Sequence, residues 1–376
     1  MLDPSVLKQK AVDQTGLDEF GDEPMEDGLA VFCDSLRTES GLSQARLKQA
    51  EASIIATLSE RLRIEACLKQ HPSILDERIE APVFVVGLPR SGTTALSQFL
   101  SEDPQMRSIR RWESAQVTPP PNASETQDPR IAETTRAFAA RDAALPALKT
   151  MLAVEPWDPS EHGVQLGLTF RNLQLPSLWP TPSYTKWLQD ADKRPAYAYF
   201  AKVLKLLQWK TPAPCWNLKN PPDIFSLDAI ASVFPDARFV WAHRDPTLSV
   251  PSVCSLVSTI REASGESVDK LALGRMQLEF QSAGVKAAMQ ARDQLSDRTF
   301  VDVCQKDLDE NPIATLQALY DAVGLDFTDI YKARLQSRLK ARPKGKHGAH
   351  TYTRDEFGLE APEIRSVFKD YIDRYH

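Results

Sequence analysis

The segment Gly87-Leu88-Pro89-Arg90-Ser91-Gly92-Thr93-Thr94 brings two glycines, one arginine and three hydroxyl side chains into eight residues. Between a strand and a helix, such a turn wraps successive backbone N–H groups around a phosphate. The helix N-terminus behind it adds unsatisfied donors and a favourable dipole. Arg90 contributes a rigid, multi-donor guanidinium suited to anions. A plain strand-to-helix reversal needs only the glycines, so the arginine and hydroxyls favour phosphate binding. Comparison with the Walker A pattern, G-x-x-x-x-G-K-[ST], sharpens this. The glycine spacing is kept, but Thr93 stands where the lysine should be. A kinase or NTPase should not lack that charge. The loop therefore suits a shorter, diphosphate-like group whose transferred end is neutralised from elsewhere.

Ligands of open α/β sheets bind beyond the carboxyl ends of the strands, so the missing cation is sought there. Lys219 directly follows Trp216-Asn217-Leu218, and His243-Arg244-Asp245-Pro246 follows Phe239-Val240-Trp241. Pro246 suits a first helical position, and Ser252 lies eight residues beyond Arg244. A lone basic residue is most often ordinary surface. Three strand ends delivering Arg90, Lys219 and Arg244 towards one cleft point to function.

These residues need a scaffold that places strand ends side by side. Val83-Phe84-Val85-Val86 is apolar without alternation, which predicts a central parallel strand covered on both faces. Helix is expected from Thr94 to Leu100, over 223–234, from Pro246 to Ile260, over 269–292 and from Pro312 to Val323. Strands are expected at Cys215–Leu218, Phe239–Trp241 and Phe300–Val303. The fold class is α/β: a P-loop-like central parallel sheet flanked by helices, with a helical insertion and an N-terminal helical arm. Residues 1–80 read as an acidic lead-in and that arm, whose helix begins near Ser43. Residues 11–30 hold seven Asp or Glu and no Lys or Arg, the mark of a solvated segment. The α/β domain spans residues 81–358, with its insertion at about 130–210, and a C-terminal helix occupies 359–376. The insertion is aromatic at Trp157, Trp179, Trp187 and Trp209, and it predicts a lid or substrate wall. Tyr331 to His350 carries seven Lys or Arg and no acidic residue. That run is either a solvated charge run or the edge of an anion cleft.

The net charge of -6 argues against a nucleic-acid partner. Five widely spaced cysteines without a CxxC pair argue against a disulfide scaffold or structural zinc, and a reducing, cytoplasmic setting follows. No signal peptide is evident after Met1-Leu2-Asp3-Pro4, and no apolar run is long enough for an integral membrane protein. A homo-oligomer is compatible with this composition.

Taken together, the motifs resemble the sulfotransferases that use 3'-phosphoadenosine 5'-phosphosulfate (PAPS), in particular their broad bacterial-type branch, over about residues 82–358. The resemblance implies that Gly87, Pro89, Arg90, Ser91, Gly92, Thr93 and Thr94 form the 5'-phosphosulfate loop. It implies that Arg244 and Ser252 hold the 3'-phosphate and that Lys219, in Leu218-Lys219-Asn220-Pro221, lies beside the bridging oxygen of the leaving phosphate. Val301-Asp302-Val303 followed by Asp307-Leu308 resembles the next strand and helix start, although the family more often has Tyr-Glu where this chain has Gln305-Lys306. Lys344, Lys346 and His347 resemble the loop that closes over the nucleotide. The implied reaction is metal-independent in-line transfer of a sulfuryl group to a hydroxyl or amine of a small or amphipathic acceptor, leaving PAP. Arg90 and Lys219 would stabilise the developing charge. The general base is Glu113, after Arg110-Arg111-Trp112, or His162, in Glu161-His162-Gly163. Two other classes remain: another P-loop, kinase-like transferase, and a non-catalytic nucleotide-binding protein.

Overall fold

The computed structural model describes residues 2–124, 127–146, 154–212, 214–341 and 352–376. They fall into two compact units with interleaved segments. One comprises Met1–Ile79, Arg111–Glu133 and His162–Pro212; the other comprises Glu80–Arg110, Thr134–Glu161 and Ala213–His376.

The second unit contains the sheet. Its strands are β1 (Val83–Gly87), β2 (Met106–Arg107), β3 (Cys215–Lys219), β4 (Arg238–His243) and β5 (Thr299–Cys304). They form one sheet in the order β2-β3-β1-β4-β5, and every recorded pairing is parallel. The unalternating run at Val83 therefore sits at the centre, buried along its whole length. Val83 and Val85 pack with Leu96, Leu100, Val240, Ala242, Leu316 and Tyr320 on one face. Phe84 turns to the other face, against the rings of Phe234 and Phe239. Truncating such a core phenylalanine to alanine costs about 3–5 kcal/mol. The register pairs Val85 with Lys219 and Gly87 with Ala242, so the carboxyl ends of β3, β1 and β4 reach the same edge. That edge is where the sequence places its cations.

The first unit is helical, with Pro4–Thr15, Glu26–Thr38, Gln44–Gln70, Pro182–Asp190 and Arg194–Gln208 as its main elements. Ser43 caps Gln44–Gln70 through its side chain, as expected near that residue. The expected solvated lead-in is instead structured. Asp3 accepts from the Ser5 and Val6 N–H groups, Pro4 takes the first helical position, and left-handed Gly16 ends the helix. Leu7 and Ala11 are buried on this helix, and Met25 and Leu29 are buried further on. The acidic side chains cover the outside of a segment whose apolar minority is sufficient to hold it.

Three further differences follow from local chemistry. The helix expected at 223–234 is split into a 3-10 turn, Pro221–Phe225, and a helix, Leu227–Val233, joined at the extended-φ residue Ser226. The basic run from Tyr331 begins as a helix, Asp329–Ala341, because Tyr331 and Leu335 insert into the sheet unit's core. The C-terminal segment forms two short helices, Ala361–Val367 and Lys369–Tyr375. Among the described residues, no helix is long and apolar enough to cross a membrane.

Candidate active site

The loop after β1 is shaped by three left-handed or glycine-only conformations. A Cβ on Gly87 would lie 2.4 Å from the Ala242 carbonyl oxygen, so β1 can approach β4 this closely only without a side chain. Arg90 has φ 69° and Gly92 φ 96°. A non-glycine residue in the left-handed region stores strain of about 1–3 kcal/mol, which must be held by its surroundings. The Ser91 N–H closes the turn on the Leu88 carbonyl at 3.1 Å. Gly92 then opens helix Thr93–Leu100 and brings no capping side chain to its first-turn N–H groups. Ser91 is fully buried, and its Oγ has no hydrogen-bond partner among the described residues. A buried hydroxyl left this way marks a position built for something further.

The strained Arg90 is held by the neighbouring strand end. The Arg244 guanidinium donates to the Arg90 carbonyl at 2.8 Å, and Arg90 Nε donates to Ser252 Oγ at 3.2 Å. Ser252 is buried in helix Pro246–Ala263, which Asp245 caps through its side chain and whose Pro246 start was legible in the sequence. Burial pushes the Arg90 guanidinium below its ordinary value, and the nearby Arg244 charge pushes it further. Two guanidiniums gathered on one loop are costly unless an anion meets them.

A second cluster forms at the end of β3. Lys219 is buried at 1% exposure, and its Nζ donates to Thr94 Oγ1 at 3.3 Å and to Glu161 Oε1 at 2.5 Å. Thr94 belongs to the helix after β1, so the lysine stands beside the Gly87–Thr94 loop from a different strand. The sequence-predicted cations are thus joined as Arg90–Arg244–Ser252 and as Lys219–Thr94, all within the sheet unit.

His243, the last residue of β4, anchors Arg244 from below. Its Nδ1 meets Tyr371 Oη at 2.9 Å and its Nε2 meets Asp302 Oδ1 at 2.8 Å. The carboxylate can only accept, which assigns the proton to Nε2 and makes the tyrosine the donor to Nδ1. Arg292 grips Asp302 through two nitrogens at 2.6 and 2.9 Å. Burial dominates at His243 and lowers its pKa. Burial alone would raise Asp302, but the hydrogen bonds from His243 and Arg292 hold its carboxyl well below the usual range.

Two further predicted residues belong to the helical unit. Glu113 lies in the short helix Arg111–Ser114 and His162 precedes Gly163–Leu166, both in the helical unit and both buried. The His162 ring stacks on Phe200 at 4.7 Å. Lys344, Lys346 and His347 lie outside the described residues. Within the described part of the basic run, Arg338 is committed to Glu102 and Asp158, at 2.5 and 3.3 Å. Sequence reasoning missed Glu161, although it adjoins His162, and missed Gln305, whose side chain packs over Gly92. The departure at Gln305 from the more usual residue was the available signal for the latter.

Comparison with known proteins identifies the family and the fold. Over its full length the chain superposes on sulfotransferase STF9 from Mycobacterium avium with a TM-score of 0.91 and 27% identity, covering 97% of that chain. For sulfotransferase STF1 from Mycobacterium tuberculosis H37Rv the TM-score is 0.86 and the identity 26%, covering 97% of this chain and 98% of that one. A curated relative, omega-hydroxy-beta-dihydromenaquinone-9 sulfotransferase Stf3 of Mycobacterium tuberculosis, is 24% identical over 165 residues, 42% of this chain. That match spans only 40% of the relative's length. The sulfotransferase family model matches residues 82–329, a span that holds the loop, Lys219, Arg244 and Ser252. That match covers well over half of the chain, which therefore belongs to the sulfotransferase family.

Proposed function

We propose that this protein transfers a sulfuryl group from PAPS to a hydroxyl or amine of a small or amphipathic acceptor. The observation that carries the reading is the pairing of Arg90 with Arg244 across a loop that has Thr93 in place of the Walker lysine. The residues fit a nucleotide with two separate anionic ends. Arg244 and Ser252 would hold the 3'-phosphate, and Arg90, in the 5' loop, would help to stabilise the charge that develops on transfer. The backbone donors of Ser91 to Thr94 and the buried Ser91 hydroxyl would hold the 5'-phosphosulfate. PAPS supplies an activated sulfuryl group on a single 5'-phosphate. Lys219 would place its ammonium beside the bridging oxygen, where negative charge grows as the S–O bond breaks. Positioning supplies much of the remainder.

A hydroxyl acceptor must lose its proton, and Glu113 and His162 are the two residues we assign for test. Glu113→Gln and His162→Asn should be compared at saturating acceptor. The base is the one whose loss lowers kcat by about 10²–10⁴-fold while PAP affinity is kept. For the acceptor, the name of the Mycobacterium tuberculosis relative denotes a hydroxyl on a lipid-like quinone. Terminal alcohols on apolar chains are therefore the first class to screen. Calorimetry with PAP, ATP and GTP tests the donor reading without knowledge of the acceptor. PAP should bind most tightly and without magnesium; preference for magnesium-bound ATP would instead mark a kinase-like transferase.

A further inference from the structure

Lys219 carries a carboxylate partner that the proposed chemistry does not use. Its ammonium is held at 2.5 Å by Glu161, on a lysine 1% exposed and a glutamate 31% exposed. The segment bearing Glu161 is fixed by the backbone beside it. Arg110 and Pro159 form an antiparallel bridge, the Ser160 N–H donates to the Ile109 carbonyl at 2.7 Å, and the Arg110 guanidinium donates to the Trp157 carbonyl at 3.0 Å. The chain therefore delivers this carboxylate to Lys219 by construction.

We infer that Glu161 is a positioning residue acting through Lys219, a resident counter-ion that competes with the donor's 5'-phosphate for the same ammonium. The inference rests on the PAPS reading above. A buried ammonium without a partner costs several kcal/mol, and a carboxylate at contact distance offsets much of that cost. The same carboxylate repels any second anion brought to the lysine, so the two cannot share it at full strength. Of these partners of Lys219, Thr94 is neutral and built into the loop helix, whereas Glu161 is charged and partly open to solvent. Glu161 is accordingly the partner that yields. The pair keeps Lys219 aimed at the loop and makes release of its charge conditional on an arriving phosphate.

Competition predicts a sign that a merely structural role does not. Glu161→Gln keeps the size and one hydrogen bond but removes the competing charge. It should bind PAP about tenfold more tightly than the wild type by calorimetry. Glu161→Asp, which withdraws the carboxylate by one methylene, should gain less. In a Lys219→Met background the gain from Glu161→Gln should vanish, because no ammonium is left to compete for. If the wild type fails to bind PAP, the donor reading falls and takes this inference with it. If the wild type binds PAP but Glu161→Gln binds it equally or more weakly, the donor reading stands and the counter-ion role is wrong. A gain that persists without Lys219 also overturns it. Should Glu161→Gln fail to fold, Glu161→Asp decides the sign alone.

Discussion

Arg61 in the helical unit and Arg90 in the sheet unit are both drawn away from solvent, yet they meet different surroundings. Arg61 is completely buried, and three of its nitrogens donate to the carbonyls of Phe20, Leu168 and Glu23 at 2.5, 2.9 and 2.6 Å. The Tyr199 ring lies 4.3 Å from its guanidinium carbon. Its neighbour Glu60 is treated likewise, with Oε1 accepting from the Val117 and Thr118 N–H groups and the Thr118 hydroxyl. These charges stitch separate segments of one unit together. Arg90 instead sits on a strained loop residue beside a second guanidinium, and its Nε donates to the Ser252 hydroxyl. A charge surrounded by backbone partners holds a fold. A like-charge pair on neighbouring strand ends is what the proposed anion site requires.

The comparison breaks most visibly if Arg61 is removed. Arg61→Leu leaves one buried and two half-buried carbonyls without this donor, at about 1–3 kcal/mol for the buried one, and should lower stability by roughly 3–5 kcal/mol. Thermal unfolding should show it, while the fraction that remains folded binds PAP with unchanged affinity. A large loss of PAP affinity without loss of stability would mean that the two arginines are not doing different jobs.

Lys219→Met tests the other side. The methionine fills the buried volume, so the fold should persist. kcat should fall by about 10²–10³-fold, the size expected for one donor to a developing charge. A rate within threefold of the wild type would remove Lys219 from the chemistry.

The smallest effect concerns the anchor under Arg244. Tyr371→Phe deletes one buried hydrogen bond to His243 and should cost about 1 kcal/mol. Its pH signature is more telling. The folded protein favours neutral His243, because its pKa is lowered by burial. Below the unfolded value near 6.5 the unfolded chain binds a proton that the folded one resists, so stability is full above that pH and declines beneath it. The wild-type Tm should therefore fall between pH 7 and the lowered folded pKa. Tyr371→Phe should show a lower Tm at pH 7 and a shallower decline, since the neutral ring has lost a donor. An identical slope in both proteins would separate Tyr371 from the titration of His243.

Much of the site was legible because its signals are local. A strand run, a glycine turn and a helix start lie consecutively between Val83 and Leu100, and Arg244 with Pro246 repeats the pattern at another strand end. Parallel pairing then brings these ends together without further information. Glu161 was not legible, since it reaches Lys219 across 58 residues through a bridge between irregular segments. Asp302, Arg292 and Tyr371 likewise come from a strand and two helices, and no spacing links them. The N-terminal helix was missed for another reason. Its acidic content hides the structural signal, which lies in the Asp3-Pro4 start and the Gly16 stop.

The central claim is that Arg244 and its neighbours answer the 3'-phosphate of a nucleotide whose 5' end lies in the Gly87–Thr94 loop. It is tested most directly by calorimetry with PAP and with AMP, which lacks only that phosphate, on the wild type and on Arg244→Ala. The wild type should prefer PAP by about 30-fold or more, the worth of roughly 2 kcal/mol from charge-assisted hydrogen bonds. In Arg244→Ala that preference should collapse towards parity while AMP binding changes little. A preference for PAP that survives intact in Arg244→Ala would contradict the account.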